Sequence, residues 1–344
     1  MIRTKILGIG GYVPDRVVDN DELAYLNARH ERQPARQIDT DDAWIRPRTG
    51  IETRRYVPND GSVATSDLAV AAAKRALADA RIEDAHEIDC IILGTLSPDM
   101  HFPGTAVIVQ RKLGIASGNC ACFDLRQQCS AFVYGLQLAD AFVRAGTYRR
   151  ILLIGAELHS HSLDFSMRGR DVTVLFGDGA GAVVLGPNET DDRASGIVHT
   201  DVHADGSGAM DLYLKIFDIK KLPYFDGTEL YAQMDGKRVF RAAIAGMVAS
   251  SRAALAAARM SWSDIDWFVP HQANLRLTET VVELAQVPPD KVLSSIDRFG
   301  NTSAASVPLT LDYWRREGKI ARGHRIMSTV FGSGFTWGTA IFTV

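Results

Sequence analysis

The strongest constraint on the fold of this chain is that its two halves repeat each other. Residues 76–82 read ALADARI and residues 254–260 read ALAAARM, an offset of 178. Each is followed by a polar connector and then by an Ile-Asp pair that opens an apolar run, IDCIILG from Ile88 and IDWFVPH from Ile265, an offset of 177. An Ala-rich helical stretch feeding a short, nearly uninterrupted apolar run marks a strand buried on both faces. The unit is α/β, and the chain uses it twice.

The correspondence runs on. Residues 123–125 precede Cys129 and a helical stretch, SAFVYGLQLADAFVRAG, that ends at Gly146; an apolar run at 151–154 and the loop FGDGAG at 176–181 follow. In the second half Ile296 and Asp297 precede Asn301 and the stretch TSAASVPLTLDYWRREG, ending at Gly318, then an apolar run at 326–330 and FGSGF at 331–335. Aligning the two terminal glycines gives an offset of 172, which carries Cys129 onto Asn301. The pattern predicts two halves, residues 1–186 and 187–344, packed about a pseudo-twofold axis. Equivalent helix starts then approach each other, so that Cys129 and Asn301 face one cavity at the seam.

Length and composition bound the function. The chain has 344 residues, 46% hydrophobic, with 38 Lys and Arg against 41 Asp and Glu. At roughly 100–200 residues per domain it holds about two units with ample core. A net charge of −3 argues against nucleic-acid binding through bulk positive charge. Four cysteines, at 90, 120, 122 and 129, are too few and too clustered for a secreted disulfide framework, and they complete no zinc site. No apolar run reaches the roughly 18 residues of a membrane span, so a cytoplasmic, reducing location is expected.

Cys129 precedes an amphipathic pattern in which Phe132, Val133, Leu136, Leu138, Ala139, Phe142 and Val143 recur at largely helical spacing. A thiol at a helix N-terminus meets partial positive charge and free N–H groups, which lower its pKa from about 8.5 and favour a nucleophilic thiolate. Taken alone, a cysteine on an apolar helix is more commonly a core residue. His271 closes an apolar run and enters a loop, where a neutral ring can turn into a cleft. Asn301, taken alone, reads as an N-cap or turn residue. Together the three suit one reaction. The thiolate carries an acyl group, while His and Asn donate hydrogen bonds to a second thioester carbonyl as an enolate develops.

The phrases DAWIRPRTGI (42–51), VPHQANLR (269–276), FGNTSAASVP (299–308) and FGSGFTWG (331–338) resemble β-ketoacyl-acyl-carrier-protein synthase III of the thiolase superfamily, essentially end to end. The resemblance implies a five-layered αβαβα fold of two similar halves, a homodimer, and a Cys129, His271, Asn301 catalytic set. It implies a decarboxylative Claisen condensation: an acyl-CoA primer acylates Cys129, and malonyl-acyl-carrier protein loses CO2 and attacks. CoA thioesters are then substrates and no cofactor is needed. It further implies an oxyanion hole from the backbone N–H groups of Cys129 and Ser333. Trp44, Arg48 and Arg170 would hold the adenine and ribose-phosphate end of CoA, and Asn274 would bond in the pantetheine tunnel. Arg276 would dock the acidic carrier, and Phe102 would be lent to the partner's acyl pocket. A second reading within the superfamily is a secondary-metabolite ketosynthase or acyltransferase. A cysteine hydrolase is a reading from another class, in which Asn301 would instead orient His271.

This chain departs from the family near the substrate. Arg126-Gln127-Gln128 stand where small residues usually precede the nucleophile, and Ser333 replaces a glycine. Glu279 and Glu283 follow Arg276 on one helical face and weaken its basic patch. The Arg- and His-rich segment 25–37 is longer than the family's entry and reads as a solvated insertion, the alternative being a flexible loop near the CoA mouth. The glycines at 8–11 and 177–181 read as a loop and a hairpin, since neither opens a helix as a nucleotide fingerprint would. His159 and His161 lack partners for a metal.

Overall fold

The computed structural model describes residues 3–116, 118–188, 195–215 and 230–344. In chain order the strands are β1 (Arg3–Tyr12), β2 (Arg16–Asp19), β3 (Thr53–Tyr56), β4 (Cys90–Gly94), β5 (Ala121–Leu125), β6 (Ile151–Glu157), β7 (Gly179–Asn188), β8 (Ile197–Ala204), β9 (Leu212–Tyr213), β10 (Gln233–Met234), β11 (Trp267–Phe268), β12 (Arg325–Gly332) and β13 (Thr336–Thr343). The helices are α1 (Asn20–Leu23), α2 (Asp42–Thr49), α3 (Thr65–Asp79), α4 (Thr105–Lys112), α5 (Ala131–Arg144), α6 (Arg170–Thr173), α7 (Gly236–Ala258), α8 (Leu275–Ala285), α9 (Ile296–Phe299) and α10 (Ser306–Arg316).

Two sheets share one strand order. The first runs β1-β7-β6-β4-β5 and the second β8-β13-β12-β11. A parallel bridge from Phe268 to Val292 extends the second sheet at the place β5 holds in the first. In each, an antiparallel pair flanks parallel strands, as β4 with β6 and β11 with β12. The repeat is visible in single residues. Arg81 and Arg259, at the ends of α3 and α7, are both left-handed at φ 58° and 56° and lie 178 residues apart. Asp89 accepts from the Arg150 N–H and Asp266 from the Arg325 N–H, each tying its connector to the neighbouring strand.

Five layers result: α3 with α4, the first sheet, α5 with α10, the second sheet, and α7 with α8. The layering follows from where apolar side chains fall. β4 is buried at every residue and pairs with β5 and β6, as a central parallel strand requires. α3 buries Leu68, Ala69, Ala72, Ala73, Ala76 and Leu77 along one stripe on β1 and β7. α5 and α10 are clamped between sheets, and their Phe132, Leu136, Val307 and Leu311 share one core with residues of both. α7 is long and apolar enough to span a bilayer by composition alone, although the apolar runs of the sequence suggested no such segment. Here it covers the second sheet through Ala243, Met247 and Ala254.

Two local readings change. Gly8, Gly10 and Gly11 lie inside β1 rather than in a loop. Gly11 stands opposite Gly181, Gly181 opposite Gly155 and Gly155 opposite Gly94, a row of glycines across four strands. The row has no side chains because α10 and the turns before the two central helices rest on it. A Cβ at Gly155 would meet the Ala304 carbonyl oxygen at 2.1 Å, one at Gly181 the Leu309 nitrogen at 2.5 Å, and one at Gly94 the Ala131 Cβ at 2.5 Å. The segment 25–37 is packed, not solvated, at its anchors. Leu26 and Ile38 are fully buried, and His30, with its Nε2 2.9 Å from the Ser160 carbonyl, sits among Tyr56, His161 and Phe165. Its arginines stay outside, Arg32 stacking on Tyr25.

Gly155→Ala drives a methyl into the Ala304 backbone, which cannot move without displacing the whole turn. Equilibrium unfolding in urea should show a loss of about 3 kcal/mol, at the upper end for overpacking, whereas Gly206→Ala, with open space around it, costs less than half of that; equal losses would show that the glycine row does not require bare backbone.

Candidate active site

Cys129 lies in a 3-10 turn, Gln128–Ser130, that feeds α5; Ser303–Ala305 form the matching turn before α10. Each opens on a non-glycine residue in the left-handed region, Gln128 at φ 45° and Ser303 at φ 46°, a conformation that concentrates at functional sites. These residues, and the helix starts Ala131 and Ser306, are 175 apart rather than 172. The structural twin of Cys129 is therefore Ala304, not Asn301. α10 has 11 residues against 14 in α5, so an alignment pinned at the C-terminal glycines slips by almost a turn at the other end.

The two turns touch, and the second holds the catalytic candidates together. Ser303 offers its hydroxyl to Cys129 and lies 2.9 Å from the His159 Nε2. Its backbone N–H donates to the Asn301 Oδ1 at 2.8 Å, leaving the Asn301 Nδ2 to donate elsewhere. Asn301 is pinned on both sides, its N–H donating to the Leu175 carbonyl and its own carbonyl accepting from Gly177, so it runs beside Phe176. His271 is fastened at its backbone to the Thr329 carbonyl of β12, and its Nδ1 lies 2.7 Å from the Ser306 Oγ.

A cavity of about 870 Å³ opens on Cys129. Its wall includes His159, Ser303, Phe176, Gln128, Arg126 and Ser333; His271 and Asn301, 2% and 5% exposed, are not part of that wall. Gly332, next to Ser333, is so close that a Cβ there would lie 3.2 Å from the Cys129 nitrogen. The backbone of Ser333 and that of Cys129 thus share one corner.

Burial sets the charges. It pushes the Cys129 thiol up to about 12, overriding the helix start that was expected to lower it; the Ser303 hydroxyl pulls the other way. It pushes His271 and His159 down to about 3, so both rings are neutral. Glu157, fully buried at the end of β6, is pushed up to about 7 although Ser97, the Leu96 N–H, the Ala304 N–H and Thr95 all bond it. The thiol and the two imidazoles are thus neutral at rest.

The other expected residues separate into two places. α2 carries Trp44, Arg48 stacks on its indole at 4.6 Å, and Arg170, from the start of α6, stacks at 4.5 Å. Arg276 joins this corner through a bond from its Nε to the Pro47 carbonyl, while Asn274 caps α8 by accepting from the Leu277 N–H. Phe102 is 80% exposed and absent from its own chain's cavity. Ser303, Ser306, Phe176 and Glu157 were not singled out in the sequence, and His159 was weighed only as a metal ligand. The signal for Ser303 was present in the repeat, three residues out of phase. Among the described residues no cluster suited to a metal ion is found.

Comparison with known proteins was made on this frame. Residues 123–206 match the model of the 3-oxoacyl-[acyl-carrier-protein] synthase III family and residues 255–344 that of its C-terminal region. A β-ketoacyl-[acyl-carrier-protein] synthase III from Bordetella petrii is 45% identical, covering 98% of this chain and 96% of its own. The crystal structure of a 3-oxoacyl-[acyl-carrier-protein] synthase III from Aquifex aeolicus superposes with a TM-score of 0.86 at 36% identity, covering 99% of this chain and 100% of that one. A priming β-ketosynthase of the R1128 polyketide biosynthetic pathway gives 0.86 at 33%, covering 99% and 96%.

The raised Glu157 carboxyl makes stability depend on pH. Its folded value lies above the ordinary glutamate value of 4.5, so the folded state keeps a proton the unfolded chain has lost. That contribution is complete below about 4.5 and is lost as pH rises through about 7. In urea titrations, Glu157→Gln should gain on the parent by about 3 kcal/mol between pH 5 and pH 8; a pH-independent difference would show that Glu157 is ionised throughout.

Proposed function

This chain belongs to the β-ketoacyl-[acyl-carrier-protein] synthase III family, and from that premise we propose that it condenses an acyl-CoA primer with malonyl-acyl-carrier protein, on residues drawn from its 1–186 and 187–344 halves. The observation that supports this reading is the Asn301–Ser306 stretch, which supplies or secures a partner for each of three reactive groups around one thiol.

In the first half-reaction the Cys129 sulfur attacks the thioester carbonyl, the C–S bond to CoA breaks, and the thiol proton ends on the departing CoA. The tetrahedral oxyanion sits between the N–H groups of Cys129 and Ser333. In the second, the malonyl thioester places its carbonyl oxygen against His271 and Asn301. A neutral His271 whose Nδ1 accepts from the Ser306 hydroxyl carries its proton on Nε2 and can donate. The bond to the carboxylate breaks, CO2 leaves, and the electron pair forms an enolate held by the two donors. Its carbon attacks the acyl carbonyl on Cys129, a C–C bond forms, and the sulfur departs to recover a proton. Neutral donors suit this step, since a buried cation would hold the carboxylate that has to leave.

The planar Trp44 between two guanidiniums suits an adenine, for which Arg170 would give way. Asn274 would meet the pantetheine arm and Arg276 the carrier. An exposed Phe102 suits a homodimer in which each chain completes its partner's acyl pocket. The priming ketosynthase supports a second reading, in which the same condensation starts a polyketide instead of a fatty acid.

Intact-mass analysis after exposure to a ladder of acyl-CoAs, followed by malonyl-acyl-carrier protein, tests the scheme. The acyl mass should appear on Cys129 and leave as ketoacyl product with CO2. Cys129→Ala should take up none; Asn301→Ala and His271→Ala should acylate but condense about 100-fold more slowly or worse. Acyl transfer without CO2, or label on Cys129→Ala, would overturn it.

A further inference from the structure

Arg126 and Gln128, in the segment that leads to the nucleophile, both line the Cys129 cavity. Gln128 holds a left-handed backbone, at φ 45°, that a glycine would adopt at no cost. Arg126 has no ion pair or hydrogen bond among the described residues. The other charges on the wall are spoken for or distant in character: Arg168 pairs with Asp164 at 2.7 Å, Asp171 is met by Arg170, and Lys215 stacks on Tyr213. The lining also has apolar side chains, Leu163, Phe176, Met210, Leu212 and Met234. The cavity therefore offers an apolar path that includes a thiol, with the Arg126 guanidinium, unpartnered among the described residues, on the same lining.

We propose that Arg126 is a specificity-determining residue that selects acyl-CoA primers ending in a carboxylate, so that Cys129 carries a dicarboxylic acyl group. The inference rests on the condensing-enzyme reading and narrows its substrate class. A guanidinium meets a carboxylate with two parallel hydrogen bonds, which gives direction as well as attraction. The malonyl carboxylate is the poorer partner, because a cation holding the group that must depart as CO2 stabilises the ground state over the transition state. The phosphates of CoA fall to the Arg48 and Arg170 end, away from the sulfur. The step itself is plain thioester exchange: the carbonyl passes from the CoA sulfur to the Cys129 sulfur, and the thiol proton passes to CoA.

The test compares shape-matched pairs that differ in charge, succinyl-CoA with 4-methylpentanoyl-CoA and glutaryl-CoA with 5-methylhexanoyl-CoA. The rate of Cys129 acylation at limiting thioester is followed by intact mass on the full chain. The carboxylate member of at least one pair should react about tenfold faster. The ratio should fall to unity or below in Arg126→Gln, be partly retained in Arg126→Lys, and shrink as salt is raised. A preference for the branched alkanoyl member in the parent, or a ratio unchanged in Arg126→Gln, overturns the assignment while leaving the condensing reading intact. If no thioester of either kind marks Cys129, the condensing reading fails and this assignment with it.

Discussion

The seam of this molecule depends on backbone lying on backbone. Gly11, Gly181, Gly155 and Gly94 clear a side-chain-free track across the first sheet, and the turn before α10 settles into it until the Ala304 carbonyl all but touches Gly155. Ordinary sheet–helix packing keeps elements about 10 Å apart through their side chains. Here that spacer is deleted along one line, which brings Ser303 close enough to reach a thiol belonging to the other half. Every distance in the site inherits from that contact.

The same burial that draws these groups together strips them of charge. Thiol, imidazole and carboxyl are all pushed toward their neutral forms, so the resting site holds its electrostatic work in reserve. Dipoles fixed in place cost nothing to reorganise when negative charge develops on a substrate oxygen, which is the condition under which such stabilisation is largest. A helix start counts for less here than its position suggests, because desolvation of the sulfur outweighs it.

Much of this was legible in the chain. The repeated ALADARI and ALAAARM stretches announced two α/β units, and Arg81 and Arg259 close their helices in matching conformations. The HQAN and GNTSAAS phrases carried the resemblance, and Asn301 and His271 each bond a serine of the stretch that leads into α10, Ser303 and Ser306. The misreadings have physical causes. Glycines at 8–11 signalled a loop because local propensity cannot see a helix bearing down on a strand from elsewhere in the chain. Segment 25–37 looked solvated from its arginines, yet three well-placed residues, Leu26, His30 and Ile38, anchor it. Glu157 and His159 gave no local signal, since their importance comes from desolvation, which only tertiary structure creates.

The pairing of Cys129 with Ala304 carries one last consequence. Duplication built two equivalent cradles at the seam, each with a left-handed residue and a helix behind it, but only one was furnished with sulfur. The methyl in the other makes the two cradles chemically unequal: a symmetric scaffold presents a single thiol at its seam.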